Sequence, residues 1–91
     1  MMSAIDQSRN DFRRATEAFN AGDLNTAEFT YRHILQKFPN SDIALFGLSS
    51  VLFEKGGDAL KDAAKFIAIA ATQNPQNSAT QFLAGNIATE L

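Results

Sequence analysis

FNAGDLNTAEFTYRHILQKFP, residues 19–39, and FEKGGDALKDAAKFIAIAATQNP, residues 53–75, decide the fold, because the second repeats the first. At an offset of 34, Phe12 falls on Phe46, Phe19 on Phe53 and Gly22 on Gly56. Past that glycine the offset becomes 36: Leu24 falls on Leu60, Ala27 on Ala63, Pro39 on Pro75 and Phe46 on Phe82. Two extra residues in the turn Gly56-Gly57-Asp58-Ala59 account for the change. A period of this size marks stacked helical units, none of which can bury its apolar face alone.

Working outward, turn signals divide the chain at Gly22-Asp23, Pro39-Asn40-Ser41, Gly56-Gly57-Asp58 and Asn74-Pro75-Gln76-Asn77. Between them lie five stretches of helical length without strand-like alternation, which predicts an all-α chain of five helices. The first, from about Ala4 to Ala21, places Ile5, Phe12, Ala15 and Phe19 on one face. The second carries the stripe Leu24, Ala27, Tyr31, Ile34, Leu35 and Phe38, with Asn25 and Glu28 at capping-box spacing. Pro39 marks its end, since the residue before a proline resists helical geometry. The third, from near Asp42 to Gly56-Gly57, is apolar nearly all round: Ile43, Leu45, Phe46, Leu48, Val51, Leu52 and Phe53. Such a helix has neighbours on several sides. The fourth starts from a cap at Asp58 and is rich in alanine; the fifth starts from a box of Ser78 with Gln81 and runs to Leu91.

Composition narrows the function. The 91 residues make one domain, with a net charge of −2 and an apolar fraction of 45%. That balance carries no basic excess of the kind nucleic-acid binding needs. The absence of cysteine removes disulfides, thiol nucleophiles and cysteine-held zinc. No stretch reaches the ~20 apolar residues of a membrane span, and the first residues do not read as a secretory signal. A soluble, cytoplasmic protein that is not an enzyme is the expectation. The single histidine, His33, sits beside Arg32 and away from the apolar stripe, so it reads as a surface residue. No metal and no cofactor are expected.

A helix, then Gly22-Asp23-Leu24, then Ala27, Tyr31 and Pro39, resembles the tetratricopeptide repeat; Leu45, Leu48, Leu60, Ala63, Ile67, Ala70 and Pro75 repeat the match. The resemblance implies an α-α superhelix of two and a half units: about 8–41, about 42–77, and the first helix of a third at about 78–91. Asp11 and Arg14 occupy places where the family puts large apolar residues, which suits an end helix with a wet outer face. The resemblance also implies a concave groove lined by the first helix of each unit. Phe12, Phe46 and Phe82 would form one column there and Phe19 and Phe53 a second, with Thr16, Ser50 and Asn86 among them. The columns either receive a partner peptide or pack between units. Some family members clamp a terminal carboxylate with basic residues, but the matching places hold Phe12, Thr16, Gly47, Ala79 and Leu83, so no such clamp is expected.

The two ends differ. The first helix is polar, with Asp6, Gln7, Arg9, Asn10, Asp11, Arg13 and Arg14. The last carries Leu83, Ala84, Ile87 and Leu91 with no following helix; part of this stripe is expected to pack back on the fourth helix and the remainder to form an apolar patch, which fits either a fragment of a longer protein or, as the favoured expectation, a homo-oligomer, docked or helix-exchanged. The function expected is a protein–protein interaction module or scaffold that takes a protein or peptide. A small chaperone or adaptor masking a client helix is the alternative, as is a non-catalytic regulatory subunit.

Overall fold

A computed structural model describes the backbone of residues 4–91 and the side chains of residues 9–91. The side chains of Ile5, Asp6 and Gln7 lie outside the described ones. The protein is all-α: helices α1 (Ala4–Asn20), α2 (Leu24–Lys37), α3 (Asp42–Lys55), α4 (Ala59–Gln73) and α5 (Ser78–Glu90), with no strand among the described residues. Connections of three or four residues turn each helix back along the one before it. Consecutive helices pack together, and α3 also touches α1 and α5, so α3 meets all four others. The result is a slab of 45 × 28 × 19 Å.

The first turn shows how the sequence achieves such short connections. Gly22 takes φ +83°, which costs glycine nothing sterically. Its N–H donates to the Phe19 carbonyl at 3.0 Å, and the Asp23 N–H to the Ala18 carbonyl at 2.8 Å. This paired pattern closes a helix that ends at a left-handed glycine. Asp23 then caps α2, its carboxylate accepting from the Thr26 N–H at 3.2 Å. One residue thus closes one helix and opens the next. Thr26, by its side-chain hydroxyl first and its N–H second, holds the Asp23 carboxyl below its ordinary pKa.

Three caps differ from the sequence reading. Asp23, not Asn25, caps α2; Asn25 Oδ1 instead accepts from Lys55 Nζ at 2.7 Å. Asn77, not Ser78, caps α5, its Oδ1 accepting from the Thr80 N–H at 3.2 Å. Asp58 stands at the cap position of α4 but makes no side-chain capping bond. The turns before α3 and α5 are copies: Ser41 caps α3 through the Ala44 N–H as Asn77 caps α5.

The core repeats as the sequence does. Ala27 and Ala63 are both buried, as are Tyr31 and Ile67, Val51 and Ile87. Between α3 and α2, Lys55 Nζ meets Glu28 Oε1 at 2.7 Å, and within α2 Arg32 Nε meets Glu28 Oε2 at 2.9 Å. Lys55 first, and Arg32 with it, holds the Glu28 carboxyl below its ordinary pKa against a smaller opposing effect of burial. The Arg32 guanidinium also lies 5.5 Å from the Phe66 ring centroid, which ties α2 to α4.

Asp11 departs from expectation. It is 5% exposed, so it lies inside the stack and not on a wet outer face, whereas Arg14 is exposed. The carboxylate makes no hydrogen bond or ion pair among the described residues. Position 11 corresponds to Leu45, which is buried in α3. Among the described residues no buried side-chain oxygen lacks a partner, so the carboxylate tip reaches water while the rest of the side chain is enclosed where α3 has an apolar residue. Asp11→Leu is therefore expected to stabilise the protein by about 1 kcal/mol, raising Tm by about 4–8 °C. A thermal melt followed by circular dichroism checks this, and an unchanged or lower Tm would contradict it.

Candidate peptide-binding face

The first helices of the units, α1, α3 and α5, place Phe12, Phe46 and Phe82 at corresponding positions. They are not equally covered. Phe12 and Phe46 are half-buried and pack against the core, whereas Phe82 is 74% exposed. Phe46 also lines a cleft of about 180 Å³ together with Asp42, Ile43, Asn77, Ala79 and Thr80. Ile43 is 66% exposed, and Phe82 lies one helical turn beyond Ala79. Ile43 thus lines the cleft largely uncovered, and Phe82 is a second large apolar side chain left exposed on α5.

A second cleft of about 550 Å³ stands at the corresponding place one unit earlier. It is lined, among the described residues, by Arg9, Phe12, Lys37, Phe38, Pro39, Asn40 and Ser41. Ser41 lines this cleft and Asp42 the other, so the two clefts meet at the start of α3.

The remaining residues expected at the groove are only partly gathered. Phe19 and Phe53 are half-buried and packed on the core. Thr16 is exposed, with its Oγ1 3.4 Å from the Tyr31 hydroxyl. Ser50 donates to the Phe46 carbonyl at 2.9 Å, and its hydroxyl is occupied within its own helix. Asn86 is half-buried.

The patch expected on α5 is largely absent. Leu83 is 8% and Ile87 1% exposed, both joined to the core of Val51, Ile67 and Ala70. Ala84 is half-buried against that core, and only Leu91 stands out, at 62% exposed. The alanines of α4 explain this: small side chains let α5 settle closely enough for α3 and α4 to cover its stripe. The outer positions of α5 hold Gln81, Gly85 and Ala88, where α3 holds buried Leu45, Ser49 and Leu52.

Ile43, Phe38, Arg9 and Lys37 belong to the face and were not singled out from the sequence. A signal existed for Ile43. Its counterparts are Arg9 and Ala79, polar and small, which marks the position as outward in every unit. His33 is exposed on α2, and among the described residues no group of three or more His, Cys, Asp or Glu is placed to hold a metal ion. No helix of the described residues is long and apolar enough to cross a membrane. No family model, no curated protein and no solved structure matches this chain.

Proposed function

We propose that this chain is a non-catalytic protein–protein interaction module of tetratricopeptide-like units, whose face along α1, α3 and α5 takes a peptide or helix from another protein. One observation carries the reading. Ile43, in the lining of a cleft between α3 and α5, and Phe82, on α5, are large apolar side chains left 66% and 74% exposed. Exposed apolar groups clustered at a concavity mark recognition surfaces, and a groove that takes an amphipathic segment is a common form. Masking a client helix, as an adaptor or chaperone does, uses the same face. Self-association through α5 is not part of this reading, because Leu83 and Ile87 already have neighbours within the chain.

Ile43→Ser and Phe82→Ser test it. Both side chains are surface groups, so stability should change by less than about 0.5 kcal/mol. Peptides selected against the wild-type chain from a random displayed library should lose about tenfold affinity or more to the double variant. They should also shift the amide resonances of α3 and α5. Selected peptides that bind the double variant as tightly as wild type would place the site elsewhere.

A further inference from the structure

The larger cleft has a chemical polarity that the smaller one lacks. Its floor is apolar, built by Phe12, Phe38 and Pro39, and two cations, Arg9 and Lys37, stand in its lining, which holds no carboxylate among the described residues. Neither cation has an ion-pair partner among the described residues. Arg13, exposed one turn further along α1 from Arg9, adds a third positive charge on the same helix. Asn40 and Ser41 supply polar groups at the turn. The whole chain carries a net charge of −2, so this is a local positive site on an acidic protein. Attraction here comes from groups at the cleft and not from the overall field.

From this complementarity we infer that the segment bound on this face is acidic as well as apolar, with a large apolar side chain seated on Phe12, Phe38 and Pro39 and flanking carboxylates paired with Arg9 and Lys37. This deepens the reading of the chain as a peptide-binding module and rests on it. The arrangement fixes direction: the acidic part of the segment lies at α1, and an apolar part continues past Phe46 to Phe82. Flanking charges of the wrong sign would meet Arg9 and Lys37 directly, so like-charged segments are rejected. No terminal carboxylate is required, since internal Asp or Glu residues meet the same cations.

The test uses the displayed-library peptides, resynthesised with each Glu and Asp replaced by Gln, and the full chain carrying Arg9→Gln with Lys37→Gln or Arg9→Glu with Lys37→Glu. Selected sequences should be enriched in acidic residues beside an aromatic or large aliphatic one. Removing the charges on either partner should weaken binding about tenfold, and high salt should weaken wild-type binding similarly. The charge-reversed chain should prefer the same peptides with Lys in place of Glu. Peptides that need Ile43 and Phe82 but ignore Arg9 and Lys37 would overturn this inference and leave the interaction reading standing. A library that yields no binder to the folded chain would overturn both.

Discussion

Gly47→Ala is expected to lower Tm by roughly 10 °C, although alanine is the better helix former. Helix propensity alone would make the substitution stabilising by about 1 kcal/mol. The packing reverses the sign. Gly47 is buried in α3, and a Cβ placed there would overlap the ring of Tyr31 on α2 and come within 2.8 Å of its hydroxyl oxygen. Tyr31 has little room to retreat. It is 6% exposed, and its hydroxyl lies 3.4 Å from Thr16 Oγ1 on α1. Overpacking a filled core costs about 1–3 kcal/mol and sometimes more, so a net loss of about 2 kcal/mol follows. For a domain of this size that corresponds to roughly 10 °C. The second unit indicates the remedy. Where the first has Tyr31 against Gly47, the second has Ile67 and Leu83 at the corresponding places: a smaller residue on one helix and a larger one on the next. Tyr31→Ile combined with Gly47→Leu should therefore be more stable than Gly47→Leu alone by more than 1 kcal/mol on the order of typical coupling energies. Thermal melts of the four proteins in the cycle decide it. A Gly47→Ala protein as stable as wild type would mean that the helices do not approach this closely.

Leu48→Ala is expected to cost about 2–5 kcal/mol. Leu48 is fully buried in α3, the helix that touches every other, so the cavity it leaves cannot collapse from one side without disturbing another. A chain of this length holds roughly 5–14 kcal/mol of stability in total, so the variant would lose a substantial part of it. Urea denaturation should show a lower midpoint with little change in slope. The same register position supplies an internal control. Its counterpart in α1 is Arg14, which is exposed, and Arg14→Ala should move stability by less than about 0.5 kcal/mol. A small effect at Leu48, or equal effects at the two positions, would contradict the central place of α3.

The elements were legible because local chemistry specifies them. Gly22 and Gly56 stop helices that cannot continue through a left-handed residue, and the prolines at 39 and 75 end the second helix of each unit. Ala27 and Ala63 are buried where the repeat places them. The caps were less legible, since Gly22-Asp23-Leu24-Asn25 and Asn77-Ser78 each offer two competent side chains within three residues. The hydrogen bonds that close α1 choose Asp23 for the first, and the tight turn after Pro75 chooses Asn77 for the second.

The sequence by itself determined the helices, their turns and the register that relates the units, because capping, glycine conformation and 3.6-residue periodicity act within a few residues. Only the tertiary structure decided which apolar faces are covered. Leu83 and Ile87 lie on a stripe that looked open, yet α3 and α4 close over it. Ile43, in a helix that is apolar nearly all round, is left in the open beside a cleft. Asp11, whose polarity suits a wet outer face, is only 5% exposed. Periodicity states which residues share a face of a helix. How closely a neighbouring helix approaches that face depends on side chains tens of residues away, and that alone separates core from binding surface.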